Sequence, residues 1–458
     1  MASPDRALEL AERALGAVGA GHEALARVVA ERSQMLRYAR SRPTQATAVE
    51  DLTVEVAVVR DGHVGSAETN RTDDESLTAA ARAAAAAAEA AARHGGAGAF
   101  PGFPPPAPAR PHEGWDEETA RLDSELGGAA LATAFETAAR HRVEAHGTWT
   151  TAEVVSATAT TSGSAVADRV TDAFMKVTCI APGGRSGYAT ETARAVAGLD
   201  PAAAAERAAR KAAAAGEPAT LPPGDYPVVL DVDAVGELLE WLGRLAFSGM
   251  AYAEGRSALE GRLGLRVAAP SINLSDSPRH PRTLPRSYDA EAVPKAPLPL
   301  IQDGVAHRIV HDTRSAAEAG DGARSTGHAL SPGGGDYYGP TPTNLVLIGG
   351  GARDVDELAR PIERGIYVTR LWYTNPVRAK ETLITGMTRD GTFLIEDGRI
   401  TKPLTDMRLT DSVLGLLGRV EDLGARPRLV SEGEFYGRRF AYGTVCPPLR
   451  ASHMRFTG

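Results

Sequence analysis

The stretch from Asp225 to Gly264, DYPVVLDVDAVGELLEWLGRLAFSGMAYAEGRSALEGRLG, constrains the fold of this chain more than any other. It opens on the short apolar run Val228-Val229-Leu230, bounded by Pro227 and Asp231, the mark of a buried strand. Asp233 stands where a helix N-cap is expected, because a carboxylate there accepts the free N–H groups of the first turn. Val235, Leu238, Leu239, Leu242, Leu245 and Ala246 then fall on one helical face, and Gly249 is the expected stop. The pattern predicts a strand, a tight turn and an amphipathic helix over 233–248, followed by a loop carrying Gly255, Arg256 and Ser257.

A chain of 458 residues exceeds one core, and proline-rich breaks divide it into three units. The first, 1–100, reads as a helix at 4–18, three alternating stretches at 24–40, 51–59 and 63–69, and a second helix at 73–93. Asp61-Gly62 is a hairpin turn signal, and Thr72 with Glu75 forms a capping-box pattern. PGFPPPAPARP at 101–111 is a linker. The second unit, 112–220, offers a helix at 128–141, strands at 142–159 and 163–180, and an alanine-rich helix framed by Asp200-Pro201 and Gly216. The third, 225–458, is mostly short apolar runs ended or joined by Gly304, Gly391 and Gly398, for which antiparallel pairing is the natural solution. The expected fold is α+β: an N-terminal α/β unit, a middle α+β unit and a C-terminal, largely antiparallel β domain built around one central helix. The abundant alanines are read as a compositional habit.

A net charge of −8, without a basic stripe or an aromatic platform, argues against a nucleic-acid partner. No apolar run reaches the roughly 20 residues of a membrane span. Charges at Asp5, Arg6, Glu9, Glu12 and Arg13 interrupt any signal-peptide core. Cys179 and Cys446 are too few for a disulfide scaffold and fit a reducing cytoplasm.

Five further segments follow the central helix in order. They are Tyr288-Asp289-Ala290-Glu291-Ala292-Val293-Pro294, Leu300-Ile301-Gln302-Asp303-Gly304-Val305, Arg324-Ser325-Thr326-Gly327-His328, Pro342-Thr343-Asn344-Leu345, and Thr385-Gly386 ahead of the hairpin Leu394 to Ile400. With the helix, this series resembles the TldD/PmbA metallopeptidase family. Ala292 stands where the family pattern has glycine. The resemblance implies that catalytic members carry His-Glu-x-x-x-His on the helix, the histidines binding zinc and the glutamate activating water. In the register set by Leu238-Leu239 and by Gly255-Arg256-Ser257, those positions hold Glu240, Trp241 and Leu245. An alkyl group cannot ligate zinc, and an indole N–H cannot accept a proton from water. The family's third ligand, a cysteine, would fall at 431–436, where there is none; Cys446 reads as a buried thiol. The pattern is similar to the non-catalytic TldE (PmbA) branch.

The resemblance implies a cytoplasmic TldE-like subunit with no cofactor of its own. It would pair with a zinc-bearing TldD-like chain that degrades or trims small unfolded peptides; a homodimer is the other assembly. Tyr288, Arg324, Ser325, Thr326 and Asn344 are the candidate substrate-lining residues. A stand-alone hydrolase with a relocated or metal-free site, and a purely structural homodimer, remain as rival classes. His280, His307, His311 and His328 are the candidates for a relocated metal but read more simply as surface or satisfied histidines, with 307–311 a half-exposed strand. Glu237, Glu240 and Glu254 are candidate acids or bases whose plain reading is a solvated helix face. Gly333 to Gly335 and Gly349 to Gly351 lack the lysine and helix of a phosphate loop and read as turns.

Overall fold

The computed structural model describes every residue except 1–2, 96–97, 99, 215, 321, 335–337 and 432–438. Helix α1 (Pro4–Gly16) leads into the long hairpin β1 (Glu23–Ala39) and β2 (Arg42–Arg60), and β3 (His63–Thr69) returns alongside β2. Asp61 and Gly62 make that last turn with left-handed φ of 49° and 73°, as a tight hairpin turn requires. Helix α2 (Asp74–His94) is capped by Asp73, whose carboxylate accepts the Ser76 N–H. The cap expected at Thr72 therefore lies one residue further on. The second unit supplies α3 (Glu117–Ala120), α4 (Ser124–Arg140), β4 (Glu144–Thr160), β5 (Ala165–Ile180), β6 (Ser186–Ala193) and α5 (Pro201–Ala212). Asp200 and Pro201 open α5 as the sequence indicated, but Ala213 closes it rather than Gly216.

These two units share one sheet, in the order β3-β2-β1-β4-β5-β6. The seam is the antiparallel pairing of β1 with β4, from Leu25 opposite Thr160 to Tyr38 opposite Gly147. Helices cover one face. The alanines of α2 and α5 hold them close: a Cβ on Gly65 would lie 2.1 Å from the Ala88 nitrogen, and one on Gly187 2.2 Å from the Ala208 oxygen. The alanine richness is thus used for packing, because only small side chains permit such an approach. On the other face, Val29, Val154 and Val170 pack against Leu284, Val346, Leu429 and Val445 of the third unit.

The third unit begins with β7 (Gly224–Leu230) and α6 (Val232–Ala246). The N-cap is Asp231, which accepts the Val232 N–H at 2.9 Å, and Phe247 closes the helix. The expected cap, Asp233, is instead buried in the first turn, and Gly249 lies beyond the helix. The remaining strands are β8 (Leu274–Asp276), β9 (Leu298–Gln302), β10 (Val305–Ala306), β11 (Leu345–Leu347), β12 (Arg364–Arg378), β13 (Leu383–Glu396), β14 (Arg399–Pro403), β15 (Arg408–Ser412), β16 (Val420–Leu423), β17 (Arg428–Val430), β18 (Thr444–Cys446) and β19 (Leu449–Phe456). One sheet runs β10-β9-β8-β11-β18-β17. In the other, β12 pairs with both β7 and β13, closing a ring through β19 and β15. Most pairs are antiparallel; β7 with β12 and β11 with β18 are parallel. Gly391 does not end a strand but sits inside β13 at φ 128°.

Helix α6 is the hub. Val235, Leu238, Leu239, Leu242, Leu245 and Ala246 are all buried, and they share one apolar cluster with Val228, Ile366 and Leu449 of the ring and Leu274, Leu345 and Cys446 of the other sheet. Leu239 and Leu242 are fully excluded from solvent, each worth about 2–3 kcal/mol of transfer free energy. Among the described residues, no helix is long and apolar enough to cross a membrane.

Candidate functional site

The exposed flank of α6 forms the floor of a cavity of about 620 Å³ between the second and third units. Asp233, Gly236, Glu237, Glu240, Trp241 and Arg244 come from the helix; Tyr188 comes from β6, Arg370 to Thr374 from β12, Val430 from β17, and Tyr442 to Thr444 from the segment entering β18. A second hollow of about 700 Å³ shares Arg370 and Trp372 and reaches Arg37, His146 and Lys176 of the first sheet. A side recess of about 180 Å³ shares Glu240, Arg244 and Tyr442. The mouth carries Trp372 and Tyr373, which are 44% and 76% exposed in a chain with few aromatics.

The floor is wired by hydrogen bonds. The Trp241 indole N–H donates to Thr374 Oγ1 at 2.7 Å, and the Thr374 hydroxyl donates to Glu237. Burial lifts the Glu237 carboxyl above its ordinary range; the Thr374 bond opposes the lift and Glu240 adds to it. Burial likewise raises Asp233, which accepts from the Thr190 hydroxyl. Glu240 pairs with Arg244 one turn on and accepts from the Tyr442 hydroxyl at 3.1 Å. Arg370 pairs with Asp390 at 2.9 Å and stacks on Tyr188. The reading of Glu237 and Glu240 as solvated surface charges is therefore corrected: both are part-buried cavity walls, because β12 and the segment before β18 fold over that flank.

The side chains present do not fit a zinc ion at the family's motif positions. Leu245 is buried in the apolar core, and Trp241 is 8% exposed with its only polar atom committed to Thr374. Cys446 is a buried thiol, 3.4 Å from the Val232 carbonyl oxygen, and burial pushes its pKa far up. Of the 431–436 stretch, only Ser431 lies within the described residues. Among the described residues, no three metal-ligating side chains converge. His307 is exposed in a loop after β10 rather than in a strand, while His311 is buried beside the Ser315 hydroxyl at 3.2 Å.

None of the five expected lining residues reaches the cavity. Asn344 is 1% exposed, and its amide donates to Thr283 Oγ1 at 3.0 Å and the Leu284 carbonyl at 2.6 Å. Ser325 and Thr326 donate to the His311 carbonyl at 3.3 and 3.1 Å. Arg324 is exposed and Tyr288 is half-buried, away from the helix flank. These segments instead enclose a buried ionic cluster. Asp276 lies 3.4 Å from Lys295 and 3.3 Å from His328, and accepts the N–H groups of Thr343 and Asn344 at 2.8 Å. Burial raises the Asp276 carboxyl, but Lys295 and His328 outweigh it and hold the group well below its usual range. In the neighbouring turn Ala292 adopts a left-handed φ of 63°, the conformation that favours the glycine of the family pattern. The cavity walls on β12 and β6 escaped the sequence reading; the adjacent Trp372-Tyr373 pair was the available signal.

Comparison with known proteins matches this architecture. Sequence models of PmbA/TldA metallopeptidase domain 1, the central domain and the C-terminal domain fit residues 24–88, 116–215 and 223–458. A protein described as a metalloprotease from Methanothermobacter thermautotrophicus is 30% identical over 209 residues, 45% of this chain and 44% of that one. Another from Archaeoglobus fulgidus is 25% identical over 207 residues, 44% of this chain and 45% of that one. The alignments thus span under half the length of these curated relatives. Among solved structures, TldE from Thermococcus kodakarensis superposes with a TM-score of 0.83 at 20% identity, covering 95% of this chain and 97% of that one. A proposed modulator of a DNA gyrase from Thermotoga maritima also gives 0.83, at 22% identity over 98% and 99% of the two chains. With its C-terminal family model alone spanning more than half of the sequence, the chain belongs to the PmbA/TldD metallopeptidase family.

Proposed function

We propose that this chain is a TldE-like subunit of a cytoplasmic TldD/TldE-type metallopeptidase that degrades or trims small unfolded peptides. The catalytic zinc belongs to a TldD-like partner. The observation that carries this reading is the cavity itself: the helix flank carrying Glu240 and Trp241 faces a cavity of about 620 Å³, while Trp241 stands at the base position and Leu245, at a ligand position, is turned into the apolar core. The site has lost its metal chemistry and kept its room for substrate.

Two strand edges flank that room. Among the described residues, β6 pairs with β5 and β17 with β18 and neither has a second strand partner, although the Tyr188 and Thr190 carbonyls of β6 already accept from Lys211 and Arg207; each strand contributes a wall residue, Tyr188 and Val430. An extended peptide offers N–H and C=O groups that such edges can pair, so the chain supplies part of the peptide channel by strand addition. The similar fold of a TldE structure supports the subunit role.

The test is co-expression with a His-Glu-x-x-x-His homologue from the same source. The single chain should hold well under one zinc after dialysis and cleave no peptide, and the pair should cleave. Replacing the glutamate of the partner's motif should abolish cleavage. Robust peptidase activity from the single chain, or stoichiometric chelator-resistant zinc in it, overturns the reading.

A further inference from the structure

Of the three carboxylates on the cavity floor, Glu240 is paired with Arg244, while Asp233 and Glu237 have no salt-bridge partner among the described residues. Asp233 and Glu237 lie one helical turn apart on α6, which sets their side chains about 6 Å apart on the same face. Asp233 is 7% exposed, and its Oδ2 makes no hydrogen bond. Glu237 accepts from Thr374, whose hydroxyl is oriented toward it because the indole of Trp241 occupies the other side of that oxygen.

The nearby cations make their salt bridges to other carboxylates, and Arg428 and Lys211 act on Asp233 only at longer range, too weakly to offset its burial. Arg244 pairs with Glu240, and Arg370 with Asp390. Arg428 lies 3.6 Å from Glu191 and 3.9 Å from Asp231, and Lys211 lies 3.1 Å from Asp231. Among the described residues, no salt bridge reaches Asp233 or Glu237. An unpaired buried carboxylate is costly, and an entering cation that satisfies it recovers that cost. At the mouth, the Arg389 guanidinium already covers one face of Trp372 at 4.0 Å, and the 76% exposed Tyr373 beside it suits the same ligand, since aromatic faces attract cations.

We infer that the cavity is a cation-recognition pocket, in which Asp233 and Glu237 together take the guanidinium or ammonium group of a basic peptide residue while Trp372 and Tyr373 flank its entry. The choice of a peptide residue as occupant rests on the subunit reading above; the charge selectivity rests on the pocket alone. A free alkyl-guanidinium has the same chemistry, and the experiment separates the two sources. These four residues would make this chain, rather than its zinc-bearing partner, the one that selects which peptides are held.

The experiment is calorimetric titration of the full single chain with acetyl-Gly-Arg-Gly-amide, its citrulline isostere, its glutamate counterpart and agmatine. The arginine peptide should bind at least about tenfold more tightly than the citrulline peptide, the margin expected for hydrogen bonds to a charged donor, and the glutamate peptide should not bind measurably. Glu237→Gln and Asp233→Asn should each reduce the arginine-over-citrulline preference to within about threefold. Agmatine matching the arginine peptide would assign the pocket to free amines; weaker agmatine binding assigns it to peptides. Either supports the cation pocket. Equal affinity for arginine and citrulline peptides, absence of binding by both the arginine peptide and agmatine, or a preference untouched by Glu237→Gln overturns it. The isostere comparison is made on the unaltered protein, so a variant that fails to fold leaves the test intact. Because binding is read on the single chain, its failure is distinct from failure of the co-expressed pair to cleave.

Discussion

Trp241 shows how one residue can lose a chemical role and acquire a mechanical one. Its ring packs edge-on against Tyr338 at 6.3 Å, lies under the Arg244 guanidinium, and fixes Thr374 through its N–H. Trp241→Ala should cost about 3 kcal/mol of stability, at the low end for a large aromatic because part of the ring already faces the cavity. Trp241→Phe keeps most of the area and should cost about 1 kcal/mol, the worth of the lost hydrogen bond. Urea titration reads both, and an unchanged midpoint for the alanine variant would contradict the packing role. Ala292 makes the converse case. It holds a left-handed φ of 63° in a turn where Asp289 accepts the N–H groups of Glu291 and Val293, both at 2.9 Å. Ala292→Gly should raise stability by about 0.5–1 kcal/mol, because relief of the Cβ clash exceeds the added chain entropy. A loss of stability would show that the buried methyl matters more than the backbone.

At the scale of elements, the turn 288–294 is joined to the helix Thr313–Ala319 by Glu291, in an environment that favours its protonated form. Glu291 accepts the N–H groups of Thr313 and Gly333 at 3.0 Å. Burial, with Asp289 and Asp312 adding to it, lifts its pKa from 4.5 to about 8. The folded state then binds this proton more tightly than the unfolded chain does. The stabilisation is complete below pH 4.5 and is lost as pH rises toward 8. Asp231 and Asp276 run the other way. Burial raises both, but Lys211 with Arg428, and Lys295 with His328, outweigh it and depress them. Their contribution is complete above 3.8, the unfolded value, and is lost only as the pH falls through their lower folded values. Melting temperatures from pH 5 to 8 should therefore fall with a slope that Glu291→Gln reduces. An identical slope in that variant would remove Glu291 as its source.

For the whole molecule, the decisive feature is the seam between the first two units. β1 pairs along its length with β4, so residues 1–100 by themselves would expose a long bare strand edge. The fragment 1–100 should give no cooperative thermal transition and should self-associate, as read by circular dichroism and gel filtration. A monomeric, cooperatively melting fragment would show that the seam is dispensable. The third unit is locked on by Arg439 with Asp172, both almost fully buried, and by Lys211 of the second unit at 3.1 Å from Asp231, which Tyr367 also holds at 2.6 Å. The cavity exists only because these contacts set β6 beside α6.

Local chemistry determined much of this in advance. The apolar spacing of α6, the Asp61-Gly62 turn, the Asp200-Pro201 start and the ordered series of turn segments are legible because each depends on neighbours within a few residues. The helix cap moved from Asp233 to Asp231 because both are aspartates next to the same apolar run, and only packing decided which is exposed to the helix end. Asn344, Ser325 and Thr326 carry polar groups that suit a ligand, yet in the fold they satisfy buried partners. The pairing of β1 with β4, the pairings of β7 with β12 and β19 that help close the ring, and the cavity walls from β12 join residues over a hundred positions apart. Sequence periodicity encodes which face of an element is apolar, but not which distant face will cover it; that choice is made by the shape and charge complementarity of surfaces that exist only once the chain has folded.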